Sequence, residues 1–575
     1  MESTTVGSAG AKEDGSKRTL SCYQCKGRKL KCDRTWPCSR CTRLGDECRF
    51  PESRLRPAKV VRGSKVKALE ARLVDLEHRF KSVGDGHRPV VAIPTSASTS
   101  ASPPDTQLLQ AGRLEQLPPQ ALVDELTGLY FSKLYPETPM QDPARYLASL
   151  HMPVHMQPPM CLQYTILALA ASFSFAHQEL AQALYKRARN YIQFDEMKDD
   201  DHLVLTLGHV QCWVLLSHFE AKHLWFTRAS MSLSRAARLA QMLGLHDAEA
   251  SMPAMSMAAL APPRNWSESE ERRRTMWAIF STDRLTSSTT GWPVVIESDR
   301  IKTPLPASDE SFRTGVEEPL VTLNEALRDA SLTVYSPFAC RVLVAHLYHE
   351  CLDHTFKTYP EDEGDGKDPS SGEFWRNHQR LDDRLERMFT VLPESLCCPQ
   401  RLDSQLAVSV NLSLYTAIIC IHRSLTARAR RCKAAAGLIF DSNARMHASA
   451  GKVFDIVARA GDIDTMFYNP FVAFASFMAA MVFLDDYSTS HSNQSEGYLK
   501  SLMNLLVLIA ENNPMTASLT VQLAYELERT GIDPSAPEKV SHLAAKLGPD
   551  PVLMGHQDHS TGGTVFCLLE PQPRD

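Results

Sequence analysis

Six cysteines between positions 22 and 48 constrain the fold of this chain more than any other feature of its sequence. They form two near-copies of one unit, a Cys-x2-Cys pair followed after six residues by a third cysteine: Cys22, Cys25 and Cys32, then Cys38, Cys41 and Cys48. A Cys-x2-Cys pair lets two thiolates of a single turn hold one metal ion. The segment is short and polar, so it has no hydrophobic core of its own and is predicted to fold around bound metal.

Zinc is the metal that this thiolate pattern favours. Six thiolates cannot fill two separate four-ligand sites, but two tetrahedral Zn2+ ions can share two of the sulfurs, and such closed sites are structural. The competing interpretations are a disulfide framework and a redox dithiol. The polar N-terminus carries no apolar signal core, which argues against the first, and the duplicated three-cysteine unit argues against the second.

The charge of the chain is concentrated in the same region. Sixteen basic and four acidic residues lie between Lys17 and Lys67, a formal charge of +12, although the whole chain carries −5. Such asymmetry is typical of a basic arm on an acidic body. Cations on a small rigid scaffold indicate binding to a phosphate backbone, and solvated surface cations or a nuclear import signal are the other interpretations.

The cysteine spacing, the intervening basic residues and Pro37 in the central loop together resemble the fungal zinc binuclear cluster (Zn2Cys6) DNA-binding domain. The resemblance implies two Zn2+ ions per chain, with Cys22 and Cys38 as bridging ligands. It further implies that Cys25 and Cys32 complete one zinc site, and that Cys41 and Cys48 complete the other.

The same resemblance implies that the helix after the second cysteine enters the major groove of double-stranded DNA and reads a CGG triplet. On that basis Arg28 and Lys29 are the base-reading candidates, since both side chains can donate to guanine O6 and N7. Lys26, Lys31 and Arg34 are the candidate phosphate contacts, which position the domain without specifying sequence.

A heptad pattern follows the basic linker. Apolar residues recur at alternating steps of three and four, which predicts a short parallel coiled coil over residues 65–83 that makes the protein a homodimer. The residues proposed for this interface are Val66, Leu69, Leu73, Leu76 and Phe80. The alternative is an amphipathic helix packed on the large domain.

A large all-α domain is predicted for residues 118–548, because its long segments show helical periodicity and few two-residue alternations. Its predicted helices are 119–134, 159–175, 178–193, 202–219, 223–243, 268–287, 319–330, 336–357, 373–391, 403–430, 443–461, 469–485, 496–511 and 516–530. The remaining divisions are a disordered N-terminus 1–16, the zinc domain 17–50, a basic linker 51–64, a disordered Ser/Thr/Pro linker 84–117 and a flexible tail 549–575.

Five short motifs occur in order within this domain: Arg235–His246 (RAARLAQMLGLH), Glu271–Trp277 (ERRRTMW), Asp283-Arg284, Gly291-Trp292-Pro293 and Pro304-Leu305-Pro306. Their order and spacing resemble the fungal-specific transcription factor domain, also called the middle homology region. Independently of that resemblance, Gly244 is predicted to end a helix in a conformation with positive φ. The charged residues near Trp277 are predicted to form a buried ion-pair network, and the alternative is that Arg273 or Arg274 holds an anionic effector.

The sequence contains no pattern that predicts catalysis. There is no nucleophile elbow, phosphate-binding loop or dinucleotide fingerprint, and His346, His349 and Glu350 do not have the spacing of a zinc protease. A structural or solvent-facing histidine pair is therefore expected. Outside the zinc domain the nine other cysteines are scattered among apolar segments, which indicates a reducing compartment. The run Phe471–Leu484 is expected to be a buried core helix because it is too short to span a membrane.

These observations predict a nuclear, sequence-specific DNA-binding regulator of RNA polymerase II transcription rather than an enzyme. By resemblance it acts as a dimer on CGG-type half-sites, recruits transcription coactivators, and activates one pathway or gene cluster, such as one of secondary metabolism. The alternative is a small-molecule receptor whose helical domain binds an effector metabolite and controls DNA binding or repression. A third interpretation is an enzyme or metal-storage protein with an incidental zinc module.

Overall fold

The computed structural model divides the chain into two compact units, Met1–Ser102 and Pro103–Asp575. It describes residues 21–28 and 30–49 of the first unit. In the second unit it describes residues 118–198, 205–247, 260–328, 335–357, 359, 372–431, 436–462, 466–467, 469–511, 513–533 and 537–547. Within these ranges the chain forms helices and turns and no strand, as expected for a small zinc domain followed by an all-α domain.

The described part of the first unit contains two short helices, α1 (Tyr23–Gly27) and α2 (Ser39–Leu44). The α-helices described in the second unit are α3 (Gln120–Leu129), α4 (Pro143–Ser149), α5 (Met160–Phe173), α6 (Gln178–Glu196), α7 (Leu207–Lys222), α8 (Phe226–Met242), α9 (Trp266–Thr290), α10 (Asp309–Thr314), α11 (Leu323–Arg328), α12 (Pro337–Phe356), α13 (Glu373–Val391), α14 (Gln405–Arg431), α15 (Ala436–Ala458), α16 (Pro470–Ser490), α17 (Asn493–Ala510), α18 (Pro514–Arg529) and α19 (Pro537–Leu547). A π-helical turn, Tyr130–Leu134, continues α3.

The sequence predicted the long helices but missed three shorter ones, α4, α10 and α19. Helices α4 and α10 have seven and six residues, which is too short for an apolar period to show. Helix α19 carries an apolar stripe that was overlooked because it extends over only about two turns: Val540, Leu543, Ala544 and Leu547. Helix α15 begins at Ala436 rather than near residue 443, because Leu438 and Ile439 pack against a small apolar cluster that includes Phe374.

Helix α14 lies at the centre of the second unit. It contacts α12, α13, α15 and α16, and most of its 27 residues are buried. A helix that is apolar on nearly every side has to be covered by neighbours on nearly every side. The long α9 plays a comparable part nearer the N-terminus, where it contacts α7, α8, α10 and α12.

Helix α9 also holds the chain segment that follows it. The indole Nε1 of Trp277 donates to the carbonyl of Pro304 at 2.5 Å. Arg274 Nη2 donates to the carbonyl of Ala307 at 2.9 Å, and Glu270 Oε1 accepts the Ala307 N–H at 2.9 Å. Two of the sequence motifs are therefore in contact because buried polar groups of the helix pair with the backbone of the later segment.

A second set of contacts connects the end of α9 to the same segment. The Asp283 carboxylate accepts the N–H groups of Val295 and Ile296 at 3.0 and 3.1 Å. Arg284 pairs with Asp283 at 3.0 Å and donates to the carbonyl of Ile296 at 2.7 Å. All of these charges are buried, and each has a partner, as buried charges require.

The arginines of α9 have structural partners, which favours the ion-pair interpretation over an effector site. Arg274 is fully buried, and its three nitrogens donate to Glu270, Asp309 and two backbone carbonyls. Arg273 pairs with Glu270 and lies over the ring of Trp266 at 5.0 Å. These contacts fix the position of α9 in the domain.

The expected glycine helix end is confirmed at Gly244. This residue follows the last residues of α8 with φ +79°, a conformation that side chains with a Cβ rarely adopt.

Two helices, Gln405–Arg431 and Pro470–Ser490, are long and apolar enough to cross a membrane by length and composition alone. In the folded chain 89% and 78% of their most apolar windows are buried. The second includes the run Phe471–Leu484, which is a core helix as expected.

Replacing Arg274 with Met is predicted to lower the free energy of unfolding by about 3–5 kcal/mol, because Glu270 would remain buried without this partner. Urea unfolding followed by tryptophan fluorescence measures the change. The matched control is Arg300→Met, which removes an exposed pair with Glu297 and should cost less than about 1 kcal/mol. Equal losses for the two variants would contradict the assigned role of Arg274.

Candidate metal centre and nucleic-acid interface

Each half of the six-cysteine segment builds the same local structure. Cys22 and Cys38 are the N-cap residues of α1 and α2, with nearly identical extended backbone angles. Their sulfurs accept the backbone N–H groups of Cys25 and Cys41, both at 3.4 Å. The sequence repeat is thus a structural repeat, in which the first sulfur of each Cys-x2-Cys pair lies at the start of a helix.

The six sulfurs form two groups of four that share two members. One group is Cys22, Cys25, Cys32 and Cys38, and the other is Cys22, Cys38, Cys41 and Cys48; within each, all sulfurs lie within 4.8 Å of one another. The shared pair, Cys22 and Cys38, is separated by 3.9 Å, and other measured edges are 3.7–3.9 Å.

These separations fit zinc. A tetrahedral site with Zn–S bonds of about 2.3 Å has sulfur–sulfur edges of about 3.8 Å, whereas a disulfide needs about 2.0 Å. The described cysteines are all free thiols. The donor set therefore suits two Zn2+ ions held by an edge of two shared sulfurs, and it leaves no position for a catalytic water.

The two shared sulfurs are also the ones whose pKa is lowered. Burial raises the pKa of the Cys38 thiol, but hydrogen bonds from the Cys41 N–H and from neighbouring thiols outweigh burial and lower it to about 6. The pKa of Cys22 is lowered in the same way, by the Cys25 N–H and neighbouring thiols against the effect of burial. By contrast, burial and the adjacent sulfurs raise the pKa of Cys25 to about 12. The fold thus favours the thiolate form at the two shared positions.

The loop between the halves is held by polar contacts that the cysteine pattern does not reveal. The Asp33 carboxylate accepts the backbone N–H of Ser39 at 3.0 Å and its hydroxyl hydrogen, and the Ser39 N–H contact lowers the pKa of Asp33. Trp36 donates its indole N–H to the Cys48 carbonyl at 3.0 Å. The Tyr23 N–H donates to the Arg49 carbonyl at 2.8 Å, which joins the two ends of the segment.

The surface of this unit is rich in unpaired cations. Within the described residues 21–28 and 30–49, five exposed basic side chains form no ion pair: Lys26, Lys31, Arg34, Arg40 and Arg43. Arg28 is also exposed, but its guanidinium pairs with Asp46 through contacts of 2.7 and 3.4 Å. Asp46 was not identified from the sequence, because no helix spacing links it to Arg28.

 Arg28 and Asp46 are 18 residues apart and belong to different halves of the unit, so only the fold brings them together.

Most of the predicted zinc-domain residues lie among the described residues of this unit. The other predicted site residues are either outside the described residues or in the second unit. Lys29, the second base-reading candidate, lies outside the described residues, as does the whole predicted dimerisation segment 65–83. The histidine pair His346 and His349 lies in the second unit, on α12. Burial lowers the pKa of these side chains to about 3 and about 4, and His349 contacts the Ser288 hydroxyl at 3.3 Å, which agrees with a structural role.

Two protein-family descriptions match this chain. Residues 20–57 match the fungal Zn(2)-Cys(6) binuclear cluster domain, and residues 127–386 match the fungal specific transcription factor domain. Both agree with the resemblances seen in the sequence, and the first is a domain that binds two zinc ions.

Similar proteins are named transcription factors of biosynthetic gene clusters. The pigment biosynthesis transcriptional activator pigB of Monascus ruber is 30% identical over 270 residues, which cover 47% of this chain and 48% of pigB. The citrinin biosynthesis transcriptional activator mrl3 of Monascus ruber is 26% identical over 376 residues, 58% of this chain and 72% of mrl3. The azaphilone cluster-specific transcription factor azaR of Aspergillus niger is 28% identical over 347 residues, 58% of this chain and 71% of azaR.

Replacing Cys38 with Ser is predicted to disturb both metal positions, because this sulfur belongs to both four-sulfur groups. Titration with Co2+ measures the effect, since thiolate-bound cobalt absorbs strongly through sulfur-to-metal charge transfer. We expect this absorption to fall by more than half in Cys38→Ser. In Cys48→Ser, which lies in one group, we expect the loss to be smaller.

The matched control is Cys397→Ser, which changes a half-buried thiol of the second unit and should leave the cobalt–thiolate absorption at the wild-type level. An equal loss in Cys38→Ser and Cys48→Ser would contradict the shared position of Cys38.

Proposed function

The chain belongs to the fungal Zn2Cys6 transcription factors that carry a fungal specific transcription factor domain, and on that premise we propose that it is a sequence-specific regulator of RNA polymerase II transcription. The observation that carries the proposal is the exposed, largely unpaired set of cations on a scaffold built for two zinc ions. Such a surface attracts the DNA backbone without help from the rest of the chain, whose charge is net negative.

Zinc in this proposal is structural. All six cysteines act as its ligands, with Cys22 and Cys38 bridging the two ions. The bound ions hold α1 and α2 in place and so present the basic side chains in one arrangement. The protein's own residues then make every contact with DNA.

The base-reading role is assigned to α1 and the residues that follow it. Arg28 is the residue proposed to donate to guanine O6 and N7, with Lys29 beside it in sequence. The pair with Asp46 supports this role, because a bidentate carboxylate contact orients the planar guanidinium before DNA arrives. Lys26, Lys31 and Arg34 are proposed to contact phosphates, and their lack of protein partners within the described part of the unit agrees with that role.

The chain is proposed to act as a homodimer in the nucleus. The heptad residues Val66, Leu69, Leu73, Leu76 and Phe80 would pair two chains, and two linked readers would select two CGG triplets at a fixed spacing. Coactivators are the proposed partners of the DNA-bound dimer.

The proposed targets are the genes of a secondary-metabolite cluster, and the proposed effect is activation. Support comes from the names of the relatives, which are activators or cluster-specific factors for pigment, citrinin and azaphilone biosynthesis. The small-molecule receptor hypothesis is not favoured by the comparisons. Arg273 and Arg274, either of which was a candidate contact for an anionic effector, pair with buried protein groups instead.

Selection from random duplex DNA with the zinc-loaded full chain tests the proposal. We expect paired CGG triplets at one spacing from the wild type, nothing from Cys38→Ala, and single CGG triplets or no enrichment when Leu69, Leu73 and Leu76 are replaced by Ala. Enrichment of single triplets by the wild type would refute dimeric reading, and enrichment of no sequence would refute DNA reading altogether.

Two substitutions in the basic surface should have different effects on binding to the selected site. Arg28→Ala is predicted to cost about 1–3 kcal/mol and to relax the preference for one guanine, because it removes a base contact. Lys26→Ala is predicted to weaken binding to all DNA sequences alike, because it removes a phosphate contact. It should also reduce the slope of log affinity against log salt concentration by about one. Fluorescence anisotropy at several salt concentrations, with specific and scrambled duplexes, measures both effects.

If Arg28→Ala lowered the affinity for the specific and scrambled duplexes by the same factor, Arg28 would be a phosphate contact. Its assignment as the base-reading residue would then be wrong.

A further inference from the structure

Three potential metal ligands meet inside the second unit, far along the chain from the zinc domain. His378 and Asp382 lie four residues apart on α13 and therefore share a face of that helix, and His422 faces them from α14. One ligand atom from each residue lies within 4.8 Å of the other two. The two histidines are 6% and 3% exposed, so this cluster is part of the interior.

One imidazole nitrogen of this cluster has no hydrogen-bond partner among the described residues. Nδ1 of His378 is buried and has no hydrogen-bond partner in the described structure, and the same is true of Nε2 of the neighbouring His354. The His378 ring lies edge-on to the His422 ring, with 5.0 Å between centroids. A buried polar atom without a partner costs free energy, and the His378 imidazole, which lies beside a second imidazole and a carboxylate, is a side chain that can bind a cation.

The residues around the cluster resemble the outer partners of metal ligands in other proteins. Arg445 Nη2 donates to Asp382 Oδ1 at 2.7 Å, which orients the carboxylate. His422 Nδ1 lies 3.3 Å from the Ser442 hydroxyl, and its Nε2 faces Asp382 Oδ1 at 3.4 Å. When Nδ1 carries the hydrogen and donates it to Ser442, the Nε2 lone pair is directed toward the carboxylate, and a cation between the two stabilises that arrangement.

A comparable group elsewhere in the unit lacks this unexplained nitrogen. Cys161, Asp195 and His209 also bring three ligand atoms within 4.8 Å. Both nitrogens of His209 have protein partners, however, because Nδ1 accepts the Thr206 N–H at 3.1 Å and Nε2 contacts Asp195 at 3.3 Å. A metal ion is not needed to explain that group.

We propose that His378, Asp382 and His422 bind one divalent first-row transition-metal ion, with Zn2+ as the probe. Two imidazoles and one carboxylate are a donor set that suits zinc, and three protein ligands leave a fourth position for water. The bound ion joins α13 to α14, the central helix of the unit. Its role is separate from the DNA-binding zinc domain, whose ligands are all thiolates.

Metal analysis of the untagged full chain tests this site. After zinc loading and desalting, the wild type should contain three zinc ions per chain, two of them in the cysteine cluster, while His378→Gln and His422→Gln should each contain two. The matched control is His346→Gln, which changes another buried histidine with an unpartnered Nδ1 and should still contain three. Two ions in the wild type, or three in both cluster variants, would overturn the proposal.

If the histidine variants do not fold, cobalt spectra of a second variant test whether the second unit binds a metal ion. The double variant Cys22→Ser, Cys38→Ser leaves the second unit unchanged. It should still bind one Co2+ that shows weak visible bands and no sulfur-to-cobalt charge transfer, as expected for nitrogen and oxygen ligands. Binding that shows only sulfur-to-cobalt bands, or no binding of Co2+, would overturn the proposal.

Discussion

The DNA-binding unit depends on the sharing of two sulfurs between two metal positions. Six thiolates are too few for two independent tetrahedra, so Cys22 and Cys38 must lie at the common edge. Both residues are helix N-caps, and this placement fixes α1 and α2 relative to each other through the metal positions rather than through a hydrophobic core. The exposed cations take their arrangement from the same constraint, because they lie on or between the two helices.

The second unit depends on a different constraint, because it buries charged side chains in a helical core. Glu270 and Arg274 are both fully buried on α9, and they pair with each other and with the backbone of the segment around Ala307. Asp283 and Arg284 do the same about two and a half turns farther along α9, with the segment around Ile296. A charge without its partner in such a place would be costly, so motifs that are separated in sequence have to occur together.

The sequence predicted the features whose signal is local. The cysteine spacing indicated the metal module, and helical periodicity indicated the long helices and the positive φ of Gly244. Short helices such as α4 were missed because one or two turns carry too little periodicity. The cluster of His378, Asp382 and His422 was also missed, since its members lie on two helices about forty residues apart and no spacing rule connects them.

By itself the sequence determined the number and type of thiolate ligands, the concentration of positive charge beside them and the all-helical class of the large domain. These properties depend on residue type and on neighbours along the chain, which is why they can be read without coordinates. Only the tertiary structure decided that Asp46 pairs with Arg28, that His378, Asp382 and His422 lie together, and that Arg274 pairs with Glu270 and Ala307 inside the core. Those outcomes depend on distances between residues far apart in the chain, and such distances exist only once the helices have packed.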